Sequence, residues 1–256
     1  MDAGLDPAVT LFEFLVRQGD TTLILAQRLV EWCGHAPAVE EDMAVSNVAL
    51  DLLGQTRLWY AYACEVEGRG RTEDDLAFLR DAPRWRNLLM VELPNGNYAD
   101  TMVRQLIFDT WHYLFLESLQ SSSDARIAEI AAKSQKEVTY HVRRSADLVE
   151  RLGDGTPESH QKTQDALERL WPYTGEFFES DVQDDRACAL GLSAARASLK
   201  PAWEAHLEEV LARATLVRPA TGWMHSGGRS GRHTEHLGYI LAEMQFLPRA
   251  YPGARW

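Results

Sequence analysis

The stretch PNGNYADTMVRQLIFDTWHYLFLESL, residues 94–119, decides the fold. Pro94-Asn95-Gly96 is a turn signal. Asn97 followed three residues later by Asp100 has the form of a capping box, in which each side chain accepts an orphan backbone N–H at the start of a helix. No glycine or proline interrupts residues 98–119, which predicts a long helix ending near Leu119.

The same punctuation repeats on either side. Residues 7–32 carry Phe12, Leu15, Val16, Leu23, Ala26 and Val30 at helical spacing and stop at Gly34 and Pro37. A second block opens in Glu40-Glu41-Asp42, acids that suit the positive end of a helix, and runs through Leu50, Leu53, Leu58 and Ala61 to Gly68. A charged connector and a short apolar piece at 88–93 lead into the stretch at 94–119. Beyond it, a fourth helix is predicted over about 124–152, ended by Gly153-Asp154-Gly155. Thr156 and Pro157 then supply an N-cap and a first helical residue for a fifth block, interrupted at Pro172 within the aromatic cluster Trp171, Tyr173, Phe177 and Phe178. Helices over 201–216 and 234–247 come next, the last stopped by Pro248. No alternating strand pattern of useful length is present. The reading is an all-α protein of one domain, residues 1–256, with a four-helix bundle core at 7–152 and additional helices in 153–256.

Lys and Arg total 26 against 38 Asp and Glu, a net charge of −12, so nucleic acid or an anionic membrane would repel the chain. No apolar run is long enough for a membrane helix, and residues 1–7 have no secretory signal pattern, which together point to the cytoplasm. Cys33, Cys64 and Cys188 lie far apart with no CxxC and read as reduced, buried thiols.

In helical bundles, metal and cofactor sites are made by acids set among apolar neighbours on facing helices. Asp20 shares a stripe with Glu13, Arg17 and Glu31, so a solvated charged face explains it as well as a site does. Asp51 sits inside Val48-Ala49-Leu50-Asp51-Leu52-Leu53, with Gln55 on its line, and calls for a buried partner such as Arg57, His112 or Gln55. Asp109 and His112 project from one face of the helix predicted at 97–119, one turn beyond Gln105. Glu137 and His141 lie a turn apart among Lys133, Lys136, Arg143 and Arg144. One acid per helix is the outline of a carboxylate-bridged di-iron site, but the chain contains no Glu-x-x-His, and no histidine lies between His35 and His112. The set Asp20, Asp51, Gln55, Asp109, His112, Glu137 and His141 therefore reads as a degraded metal site or a buried polar network, with no catalytic residue and no metal assigned.

The segment Gly227-Gly228-Arg229-Ser230-Gly231-Arg232 lacks Walker spacing. Arg229, Arg232, His233 and His236 are candidates for anion or partner contact, within a C-terminal segment, 222–256, whose last helix offers Leu237, Leu241, Met244 and Leu247 as a docking face.

The blocks WCGHAP at 32–37, LDLLGQ at 50–55, PNGNYAD at 94–100 and HTEHLG at 233–238, in this order and spacing, resemble the PaaC family over essentially the whole chain. These are the non-catalytic, ferritin-like subunits of bacterial phenylacetyl-CoA 1,2-epoxidase. The resemblance implies a ferritin-like fold and a structural subunit in a hetero-oligomer with a homologous di-iron catalytic subunit, a reductase and accessory subunits. It implies no cofactor on this chain, with di-iron in the partner and NADPH entering through the reductase. Gly54 stands three residues after Asp51, where catalytic relatives would carry a metal-ligating histidine, so iron-binding roles are not carried over. The competing readings are a metal-binding ferritin-like oxidase with an unusual ligand set and a free-standing helical adaptor.

Overall fold

A computed structural model describes residues 6–254 of the chain. Residues 1–5 of the stretch 1–7 read for a secretory signal, and the last two residues of the C-terminal segment, lie outside the described residues. Among the described residues all regular structure is helical. The chain forms two compact units, one made of 1–94 together with 227–256 and the other of 95–226.

In the first unit, α1 (Pro7–Val30) and α2 (Val39–Glu67) form a long hairpin. Asp6 caps α1, and Pro7 stands at its first position, where its missing N–H costs nothing. Gly68 ends α2 at φ +65°, a left-handed conformation in which its N–H returns to Cys64 O. The antiparallel arrangement shows in the cross-helix bond between the hydroxyls of Thr22 and Thr56, 2.8 Å. One turn away, a Cβ on Gly19 would lie 2.3 Å from the Tyr60 ring, so only glycine admits that ring. The charged connector holds a short helix not foreseen from the sequence, α3 (Glu73–Phe78), started by a Thr72/Asp75 capping box. A 3₁₀ turn, Leu89–Glu92, lies between it and the second unit.

In the second unit, the Asn97/Asp100 capping box starts α4 (Tyr98–Leu119), and Asp124 caps α5 (Ala125–Gly153). Arg144 of α5 donates to the Tyr98 hydroxyl at 2.8 Å, and Gln120 donates to Gln135 at the other end, so this pair is also antiparallel. Thr156 and Pro157 open α6 (Pro157–Leu170), which gives way at Pro172 to 3₁₀ turns. Trp171, Phe177 and Phe178 pack inside with Trp203 and Phe108. Two further helices are α7 (Val182–Ala189), also not foreseen, and α8 (Lys200–Arg213), whose Trp203 indole donates to Ile107 O of α4 at 3.0 Å.

The first unit is completed by α9 (Glu235–Ala250). Pro248 does not stop it. A proline there forfeits only its own N–H bond to the Met244 carbonyl, and the turn beyond it still closes, with Tyr251 N–H reaching Leu247 O. Leu237, Ile240 and Leu241 are buried and Gln245 donates to the carbonyls of Ala77 and Arg80, while Leu247 is exposed. The face expected for docking is thus turned, for most of its length, into the helix's own unit. The cysteines also differ from expectation: Cys33 and Cys188 are exposed, and only Cys64 is partly covered, where burial pushes its thiol up to about 11.

Candidate functional site

Asp20 is fully buried in the middle of α1, and the residues that satisfy it come from far along the chain. The Tyr60 hydroxyl donates to Oδ1 at 2.6 Å. The Arg80 guanidinium donates to both carboxylate oxygens, at 3.0 and 2.5 Å, and also to the Tyr60 oxygen at 2.8 Å. The Arg86 backbone N–H closes the set on Oδ2 at 2.7 Å. Arg80 also lies over the Trp85 ring, 4.5 Å from its centroid. Burial, with the Asp20 charge beside it, raises the Tyr60 phenol well above its ordinary value. Arg17 is buried as well, so the solvated stripe weighed for Asp20 is corrected: this part of α1 runs inside the unit, and a lone carboxylate there requires a paired cation. The sequence carried one overlooked signal, the mid-helix Gly19, which makes room for Tyr60.

In the second unit Asp109, His112 and His141 come together in the seam between α4 and α5, each at most 4 % exposed. Gln105 donates to Asp109 Oδ1 at 3.3 Å, and the nearby Ser145 hydroxyl donates to the His141 carbonyl at 2.9 Å. Burial pushes the Asp109 carboxyl up to about 6, opposed by His141, Ser145, Arg144 and Arg104. Burial, assisted by His141, pushes the His112 imidazole down to about 3, so it is neutral near pH 7. Its ring lies tilted against Phe108 and stacked near Trp111. Although it stands among basic residues in sequence, His141 is buried, whereas Glu137, one turn away, is half-buried.

A third network surrounds Glu92, which is fully buried and was not singled out from the sequence. Its carboxylate accepts from Asn87 Nδ2 at 2.8 Å, from the Thr234 N–H at 2.9 Å and from the Thr234 hydroxyl at 2.7 Å. His233 Nδ1 lies 2.5 Å away and its Nε2 3.0 Å from Trp85 O. Arg28 donates twice to the Glu92 carbonyl. Thr234 makes no side-chain cap of its own, so a carboxylate 142 residues earlier serves the positive end of α9.

The remaining candidates divide. Asp51 is half-buried, not sealed in the apolar run as expected, because it lies at the shoulder of α2; Arg57 is exposed, and Gln55 is buried. Arg229 is buried, which removes it from the surface patch expected of the Gly/Arg loop; Arg232 is exposed and His236 half-buried. His233 belongs to the Glu92 network. For a di-iron centre the donors do not fit: both oxygens of Asp20 accept strong hydrogen bonds and an ion pair. Among the described residues no three His, Cys, Asp or Glu side chains converge as a metal-ligand group. None of the helices among the described residues is long and apolar enough to cross a membrane.

Comparison with known proteins agrees with the order of motifs. The chain is 47 % identical over 246 residues, covering 96 % of this chain and 99 % of the relative, to a subunit of the 1,2-phenylacetyl-CoA epoxidase of Escherichia coli (strain K12). The family described as phenylacetic acid catabolic protein matches residues 5–256. An all-α, ferritin-like chain with the motifs of this family along its whole length, it belongs to the phenylacetic acid catabolic protein family.

Proposed function

We propose that this chain is a structural, non-catalytic subunit of a multicomponent phenylacetyl-CoA 1,2-epoxidase in aerobic phenylacetate degradation. The observation that carries the reading is the end-to-end 47 % identity to a protein named as one subunit of such an enzyme. The internal networks support it from a second direction. Asp20 is neutralised by Arg80, and Asp109 and His112 are sealed between helices, so these groups act as fasteners of helix hairpins and hold no reacting atom.

In this reading the partner is a homologous subunit that holds the di-iron centre, with a reductase bringing electrons from NADPH and accessory subunits completing the assembly in the cytoplasm. The chemistry of oxygen insertion belongs to that partner. This chain contributes helical surface and a rigid frame. The test is co-expression with the candidate catalytic subunit. The two chains should co-purify, iron should follow the partner in near-stoichiometric amount, and turnover of phenylacetyl-CoA should require both. Stoichiometric iron and turnover by this chain alone would establish the oxidase reading instead, and failure to bind any second ferritin-like chain would favour the free-standing adaptor.

A further inference from the structure

A small cleft in the second unit belongs to none of the three buried networks. α8 packs against both α4 and α5, and the three helices together line a cavity of about 290 Å³. Each contributes one of its faces: Tyr113 and Leu114 of α4, Val142 and Arg143 of α5, and Ala202 and His206, one turn apart, of α8. Leu114, Val142 and Ala202 make much of the wall apolar. Two threonines, Thr110 and Thr139, also line it. Each already donates its hydroxyl proton to a carbonyl one turn back, Leu106 O at 2.7 Å and Gln135 O at 2.8 Å, and has none left for a ligand.

The polar groups that remain are donors. Arg143 is exposed and makes no ion pair among the described residues, and the Tyr113 hydroxyl makes no hydrogen bond among them. His206 Nε2 is buried without a partner. Burial pushes the His206 imidazole below its ordinary value, so near pH 7 it is neutral and donates through one ring nitrogen. No carboxylate lines the cleft. Two larger clefts of the first unit differ in this respect, because acids stand beside their arginines: Asp74 and Asp75 with Arg249, and Glu13 and Glu67 with Arg71. In a chain of net charge −12, an unpaired guanidinium at an apolar cleft free of acids is suited to an anion with an apolar body. The volume limits which anion. At about 30 Å³ per water it is the space of roughly ten waters, enough for one ring or a short chain bearing a carboxylate and too small for a nucleotide. We propose that the cleft between α4, α5 and α8 binds a compact monocarboxylate, its apolar body against Leu114, Val142 and Ala202 and its carboxylate paired with Arg143, with Tyr113 and His206 as further donors. This site lies wholly in the second unit, goes beyond the subunit role and does not depend on it.

Titration of the full-length chain with benzoate, followed by backbone amide NMR shifts, tests it. The shifts should gather at 110–114, 139–143 and 202–206 and saturate with a Kd of about 0.1–1 mM, the range open to so small a ligand. Benzyl alcohol, which keeps the ring and lacks the charge, should bind at least about tenfold more weakly. Arg143→Gln should weaken benzoate about tenfold and leave benzyl alcohol unchanged, a split that a general loss of structure would not produce. Ala202→Phe fills the cleft from an exposed position, so it should abolish the binding of both while helical circular dichroism stays as in the wild type. Absence of shifts with either benzoate or hexanoate up to about 10 mM overturns the proposal. So do shifts that gather elsewhere, and benzoate binding that survives Arg143→Gln and Ala202→Phe at wild-type strength. Inorganic phosphate that displaces benzoate at equal concentration would reduce the site to a bare positive charge and overturn the role of the apolar wall.

Discussion

At the scale of the residue, the consequence of the Asp20 network is that its members cannot be removed singly. Asp20→Ala leaves the Arg80 guanidinium buried without its counter-charge and the Tyr60 hydroxyl short of an acceptor. A cost of about 3–5 kcal/mol is expected for stranding one member of a buried pair. Asp51→Ala, at a half-buried shoulder, should cost about 1 kcal/mol or less. Paired urea titrations of the two variants check the order, and equal midpoints would contradict the burial of Asp20. The Asp109 and His112 cluster makes a prediction in pH. Because the folded state raises the Asp109 carboxyl to about 6, wild-type stability from this group is present below about 4 and is lost as pH rises through 6. His112, lowered to about 3, works in the other direction: its contribution is full above about 6.5 and is lost as pH falls toward 3. Between about 4 and 6 the slopes from these two groups oppose each other and nearly cancel. Asp109→Asn should unmask the His112 slope. Relative to wild type the variant gains up to about 3 kcal/mol between pH 4 and 7, read by thermal unfolding across that range, whereas a constant offset would show that Asp109 does not titrate with folding.

At the scale of the element, two helices depend on contacts far away in sequence. The first turn of α9 is held by Glu92, so Glu92→Ala should loosen that end. A loss of about 1–2 kcal/mol is expected from the cap alone. Amide exchange should accelerate at 234–238 and stay slow in α4, and protection unchanged in the first turn of α9 would place its cap elsewhere. For the α1–α2 hairpin, Gly19→Ala would drive a methyl group into Tyr60. The clash should outweigh the propensity gain and destabilise by about 1–3 kcal/mol, checked by the shift in urea midpoint. A stabilised Gly19→Ala would mean that the ring moves freely, which its bonds to Asp20 and Arg80 oppose. Helix starts were the most legible elements. Asn97/Asp100, Asp124 and Thr156/Pro157 each place a cap within one residue, because capping is a bond between neighbours in sequence. The short α3 and α7 escaped because their stretches are rich in acids and too brief for periodicity to show.

At the scale of the whole molecule, the first unit is assembled from both ends of the chain, 1–94 and 227–256. A chain ending at Ser226 lacks the leucines and isoleucine of α9 and the bonds of Gln245 to Ala77 and Arg80. It should lose cooperativity in the first unit while the second, 95–226, keeps its protection in hydrogen exchange. Uniform loss across both would show that the units do not unfold separately. That the protein is helical, where its long helices begin and, through the order of four short motifs, which family it resembles could all be read from the amino acids in order. These follow from periodicity, capping and local spacing, all of which act between residues a few positions apart. Which acids lie inside, and with whom, emerged from the closed fold. Asp20 is sealed and Asp51 is not, Arg229 is turned inward, and Glu92 caps a helix 142 residues away. The physical reason is that the burial of a charge is set by the partner that neutralises it, and Arg80 for Asp20 or Thr234 for Glu92 is brought near only when the chain has closed on itself.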